Sequence, residues 1–166
     1  MNIFAVDENP ELAAKSLCDQ HIVKMPIETC QMLSTFLHRW NISAPYKPCY
    51  QNHPCNIWLL HTKENFIWLL KHGDALCHNY KVRFRREHKC ESVLKIITVQ
   101  FFDAYRKEII KYQFKGLTPF AQAMPPKYKS ANAIQSYRKY YIHEKLPFAR
   151  YRHSPKPEWV NEALCS

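Results

Sequence analysis

At 166 residues the chain has the length of one domain, and its 46% hydrophobic and 14% aromatic content is enough for a packed core, which excludes wholesale disorder. Two glycines against eleven prolines exclude glycine-rich phosphate loops and the dinucleotide-binding fingerprint, which need several glycines where backbone meets phosphate. The formal net charge of +10 suits a polyanion, either nucleic acid or an anionic membrane, bound in a salt-sensitive way.

That charge is uneven. Residues 1–35 carry two bases (Lys15, Lys24) and five acids (Asp7, Glu8, Glu11, Asp19, Glu28), a net of −3 that leaves +13 for the remainder. Met1-Asn2-Ile3-Phe4-Ala5-Val6 has no basic leader and does not read as a signal peptide. Ile3 to Val6 is expected to be a short extended segment tucked into the domain, holding the chain's amino group near the core. Asn9 and Pro10 read as the cap and first turn of a helix whose buried side is Leu12, Ala13, Leu17 and Cys18.

From Asp19 to about Trp40 the apolar positions Ile22, Met25, Leu33, Phe36 and Trp40, with Val23, Ile27, Cys30 and Leu37 alongside, follow helical spacing. Pro26 is expected to kink or restart this helix. Asn41 to Pro54 is a proline-containing loop, after which Asn52 caps and Pro54 opens a long aromatic helix reaching about Arg86. No stretch reads as a membrane span, since Ile57 to Leu70 contains His61, Lys63 and Glu64. Ser92 to Lys111 is helical by length, although Ile96-Ile97-Thr98-Val99 also suits a strand. Ser130 caps a last helix through about Lys145, Pro147 ends it, and the remaining tail wraps the surface in extended form. The expected fold is all-α: a single compact helical domain over residues 1–166, with a short extended N-terminus and a wrapping C-terminal tail. Seven irregularly spaced cysteines read as mostly buried thiols of a cytoplasmic protein.

Within the second helix His21, Lys24, Glu28, Gln31 and Thr35 fall at steps of three and four and share one narrow face. Two readings stand side by side. One is a solvated stripe with an ordinary Lys24–Glu28 ion pair; the other is an acid/base cluster in which imidazole, amine and carboxylate converge where partial burial tunes them for proton transfer or nucleophilic attack.

The run Leu17-Cys18-Asp19-Gln20-His21, followed seven residues later by Glu28, resembles the Leu-Ala-Asp-Gln-His motif and following glutamate of the pyrimidine-dimer DNA glycosylases of the phage endonuclease V type. The short apolar N-terminus, Asn52-His53 ahead of an aromatic helix, and the basic, aromatic Phe148-Ala149-Arg150-Tyr151-Arg152 extend the likeness. It implies an all-α enzyme without cofactor or metal that acts on DNA, with duplex as the expected form. It also implies a DNA glycosylase with AP-lyase activity, in which an N-terminal amine attacks the sugar C1′ and a glutamate assists. Carried onto this chain, Glu28 is the carboxylate and Met1 supplies the amine, because Asn2 is too bulky for routine methionine excision; Lys24 is a second candidate amine. Ile3 and Ile27 stand where the family carries arginines.

Residues expected to contact DNA are Asn2, Gln20, Asn52 and His53, the last also able to cap a helix or line a pocket. To these are added Arg83, Arg85 and Arg86 in the basic run Lys81 to Arg86, Lys127, Arg138, and Arg150, Tyr151 and Arg152 of the tail. Cys18 with His21, and Cys49 with His53 and Cys55, lack paired zinc-ligand spacing, so no metal site is expected. No obligate protein partner and no membrane association are expected. Two other functions remain open: an enzyme on the same fold using His21, Lys24 and Glu28 on a modified base or nucleotide, and a DNA-binding module without chemistry.

Overall fold

In the computed structural model, which describes residues 1–165, the chain forms seven α-helices and, among the described residues, no strand. Asn9 accepts from the amides of Glu11 and Leu12 at 2.8 and 3.1 Å, so α1 (Pro10–Lys15) starts where expected. Its inward face is Ala13 and Ala14, with Leu17 and Cys18 buried just beyond, whereas Leu12 points to solvent: six residues make too short a turn to bury both sides.

Helix α2 (Asp19–Arg39) runs without a break through Pro26. The ring removes one backbone bond, but Pro26 and the flanking Ile22, Met25, Cys30 and Leu33 are all buried, and that packing carries the helix past the gap. Val23 and Ile27, expected beside the buried face, are instead about four-tenths exposed.

The long helix expected from Asn52 to Arg86 is two helices. His53 rather than Asn52 caps α3 (Pro54–Trp58), its Nδ1 accepting from the Cys55 amide at 3.2 Å. A turn follows, and Thr62 caps α4 (Lys63–Phe84), its Oγ1 accepting from the Asn65 amide at 3.2 Å. The Asn65 side chain locks the junction, donating to Trp58 O at 2.8 Å and to Thr118 Oγ1 at 2.7 Å.

Helix α5 (Cys90–Arg106) includes the strand-like Ile96 to Val99, because Leu94, Ile97, Phe101 and Ala104 bury one helical face against α2 and α4. Gly73 makes the three-way contact possible: a Cβ there would lie 2.8 Å from Thr29 Cγ2 on α2 and 3.2 Å from Leu94 on α5. Phe36, Phe66 and Phe101, one from each of α2, α4 and α5, meet at the centre, the last two stacked at 3.8 Å.

After a 3-10 turn (Pro126–Tyr128), Asn132 rather than Ser130 caps α6 (Ala133–Glu144) by accepting from the Gln135 amide at 3.0 Å. The tail is not wholly extended: Glu158–Cys165 forms α7, which buries Val160 and sets Trp159 against Tyr141 of α6. Only the stretch between α6 and α7 wraps the surface. No helix among the described residues is long and apolar enough to cross a membrane.

Candidate functional site

The helical stripe on α2 is not solvated. His21, Glu28 and Thr35 are buried, and of the three ionisable groups Lys24 alone projects outward. Glu28 Oε2 accepts from the Asn2 amide at 2.9 Å and lies 3.7 Å from the Met1 α-amino group; Oε1 lies 3.1 Å from Lys24 Nζ. One carboxylate thus holds two amines. The Met1 side chain is buried, its sulfur contacting Asn56 Nδ2 at 3.7 Å.

The extended N-terminus is held in an unusual conformation. Asn2 Oδ1 accepts from the amides of Ile3 and Phe4, and its Nδ2 donates to Ala123 O at 2.8 Å. Phe4 sits in the left-handed region at φ 40°, costly for an aromatic residue by about 1–3 kcal/mol. Packing offsets this: Phe4 stacks on His21 at 4.6 Å and touches Tyr137, Tyr140 and Tyr141.

His21 Nδ1 pairs with the Tyr141 hydroxyl at 2.7 Å, which also accepts from the Cys18 amide at 2.9 Å. Burial, reinforced by the positive charges of Lys145 and Lys24, pushes the imidazole down to about 4, so His21 is neutral at pH 7. Burial and the N-terminal ammonium likewise lower His53, against a smaller pull from Glu28.

These groups surround a cavity of about 360 Å³ lined by Met1, Asn2, Phe4, Gln20, His21, Lys24, Met25, Glu28, Ala123, Tyr140, Lys145 and Phe148. Every expected catalytic position, Met1, His21, Lys24 and Glu28, is on it. Three of its walls were not foreseen. Tyr140, Lys145 and Phe148 come from α6 and the segment after it, and the Lys145 ammonium sits 4.9 Å over the Tyr140 ring and 6.0 Å over that of Phe148. No local sequence signal marks Tyr140 or Lys145, and Phe148 stands out only as the first residue of the basic, aromatic tail; all three meet α2 across more than a hundred residues of chain.

Of the residues expected on DNA, several are turned to other tasks. Arg83 is buried: it donates to Leu17 O and Lys15 O at 2.8 Å and pairs with Asp19 at 3.1 Å, so it faces no phosphate. Its place in α4, opposite the α1–α2 junction, turns it inward. Gln20 is a clamp on the tail, its Nε2 donating to Phe148 O at 2.7 Å and its Oε1 accepting from the Arg150 amide at 3.0 Å. The Asn2 side chain is fully engaged in the N-terminal turn. Arg138 bonds Val6 O at 2.8 Å, reaches Asp7 at 3.4 Å and lies over Trp159. Tyr151 donates to Ser16 O at 3.1 Å.

The side chains of Arg85, Arg86, Arg150 and Arg152 are exposed, as is Asn52, which lies beside Arg39. Lys127 is exposed but pairs with Glu144 at 3.1 Å. The tail also closes the start of α2, where Cys18 offers no side-chain cap: the Asp19 amide donates to Arg150 O and the Arg152 amide to Asp19 Oδ2, both at 2.8 Å. Among the described residues no three or more His, Cys, Asp or Glu side chains are grouped to hold a metal ion.

No curated protein and no solved structure matches the chain. The sequence model of the pyrimidine dimer DNA glycosylase family matches residues 1–92, which run from the amine through α4 to the start of α5 and include Glu28, Lys24 and His21. The matched segment is more than half of the chain and contains both amine and carboxylate, and on that ground the chain belongs to the pyrimidine dimer DNA glycosylase family.

Proposed function

We propose that the protein excises a base from duplex DNA by covalent catalysis, with the Met1 α-amine as nucleophile and Glu28 as its acid/base partner, and that it then cleaves the strand as an AP lyase. The observation that carries this reading is the amine 3.7 Å from Glu28 Oε2 at the wall of a cavity open to solvent. In the neutral amine the nitrogen lone pair forms a bond to C1′ while the C1′–base bond breaks, its electron pair leaving with the base, which takes a proton from water. Glu28 receives the proton lost by the attacking nitrogen and returns it to O4′ as the sugar ring opens to the Schiff base. The Glu28 carboxylate then takes the C2′ proton, and the C3′–O bond breaks with its electron pair leaving on the 3′ phosphate.

The rest of the cavity suits that sequence. Lys24 and Lys145 attract the flanking phosphates, and Tyr140 and Phe148 offer faces on which a displaced base can stack. Met1 is favoured over Lys24 because its side chain is anchored, whereas the Lys24 side chain is 70% exposed on a flexible stem. Borohydride trapping on an abasic duplex, with mass mapping of the adduct, tests this. An adduct on Met1 is expected; one on Lys24 transfers the role, and none on any substrate removes the Schiff base from the mechanism.

A further inference from the structure

Next in the chain to the cavity-lining Lys24 and Glu28, α2 presents Val23 and Ile27 to solvent, 44% and 42% exposed and one turn apart. Two stiff β-branched side chains gain nothing for helix formation on a surface. Their surroundings are cationic. The His88 ring donates to Val23 O at 3.1 Å and accepts the Cys90 amide at 3.1 Å, which pins the 85–89 turn against this part of α2. The acids of that region are already neutralised, Glu87 by Lys81 at 3.1 Å and Glu91 by Lys95 at 2.9 Å. Arg85, Arg86 and Lys89 are exposed in the turn that His88 ties to Val23, and Lys24, next to Val23 on α2, is exposed as well.

An apolar pair beside exposed cations fits one partner, a duplex opened at a base step: ammonium and guanidinium groups hold the phosphates, while aliphatic groups enter where bases have parted. We propose that Val23 and Ile27 form a wedge that fills the step vacated by the displaced nucleotide, so that recognition of the opened duplex is apolar at this point. The inference rests on the DNA-directed reading above but not on the Schiff base. Branched side chains with little rotamer freedom to lose suit the task.

The test uses a duplex with a tetrahydrofuran abasic analogue, which forms no Schiff base, and 2-aminopurine at the neighbouring position. The full-length protein should raise the 2-aminopurine fluorescence as the step opens. V23S/I27S should lose most of that rise and bind the duplex about tenfold more weakly, the scale of two aliphatic side chains returned to water. V23L/I27L should restore both. An unchanged rise in V23S/I27S, an equal loss of affinity for single-stranded DNA, or no rise with the unmodified protein would each overturn the wedge. Failure of borohydride trapping alongside a rise that depends on Val23 and Ile27 would keep the wedge and remove the covalent mechanism, so the two proposals fail separately.

Discussion

Two carboxylates nine residues apart on α2 are each paired with cations, and they are built for opposite ends. Asp19 is closed in: Arg83 takes one oxygen, the Arg152 amide takes the other, and Arg83's remaining contacts go to the carbonyls of Lys15 and Leu17. Both side chains are at most a tenth exposed, so the pair binds α1, α2, α4 and the tail together and has no room for a ligand. Glu28 is equally buried, but its ionic partners are a chain terminus at a cavity wall and a lysine whose head is in solvent. Under the proposed mechanism those contacts are the ones exchanged for substrate. What separates the two carboxylates is where their partners lie, more than their own burial: those of Asp19 are enclosed, whereas those of Glu28 border a cavity and solvent.

Glu28→Gln gives the largest expected effect and the first way to break the contrast. Base excision should fall by about 10²–10⁴, measured in single turnover on dimer-containing duplex, while urea unfolding shows a smaller loss than Arg83→Met does, because the new amide oxygen still accepts from the Asn2 amide and the Met1 amine can give up its proton. A stability loss comparable with that at Asp19 would make Glu28 a second latch. Arg83→Met should do the reverse, removing about 3–5 kcal/mol of stability because it leaves Asp19 buried and unpaired. Combining it with Asp19→Asn should cost less than the sum of the two single changes, which a double-mutant cycle reads directly.

Histidine titration sharpens the comparison through pH. His21 titrates near 4 in the folded chain and near 6.5 unfolded, so between those values the unfolded state binds more protons, and stability falls as pH drops from about 6.5 toward 4. The full effect is about 3 kcal/mol. His72, buried without a hydrogen-bond partner and pushed down to about 3, adds a loss of the same sign that continues to lower pH. Unfolding measured between pH 7 and 4 should therefore show His21→Phe reducing the slope by roughly one proton, with His72 and His53 still contributing in the same direction. Lys24→Met is the smallest perturbation: stability should change by less than about 0.5 kcal/mol, while the salt dependence of duplex binding should drop by about one phosphate contact. Adduct formation on Met1 should persist.

Much of this was legible in the sequence. Asn9-Pro10, the apolar spacing of α2 and the His21–Lys24–Glu28 stripe follow from local rules, and local structure obeys them. Arg83 illustrates the boundary: its position in a basic run resembles that of Arg85 and Arg86, and only the crossing of α1 over α4 turns it inward. Thr62, three residues before Asn65, carried a cap signal that the apolar run around it obscured, so one helix was expected where there are two. Pro157-Glu158 similarly marks the start of α7 within a stretch whose prolines suggested an extended tail. Tyr140 and Lys145 had no local signature, and Phe148 stood out only at the head of the basic, aromatic tail, because the role of all three exists only once α6 lies against α2.

The hold of the tail on the first turn of α2 has a consequence for biosynthesis. A chain emerging from the ribosome exposes its amine, Glu28 and the whole of α2 long before Phe148, Arg150 and Arg152 appear, and until then the first turn lacks its closing amide and carbonyl and the cavity lacks a wall. Completion of the cavity is thus deferred to the end of translation, and a nascent fragment carries Met1, Lys24 and Glu28 without the enclosure built by the tail.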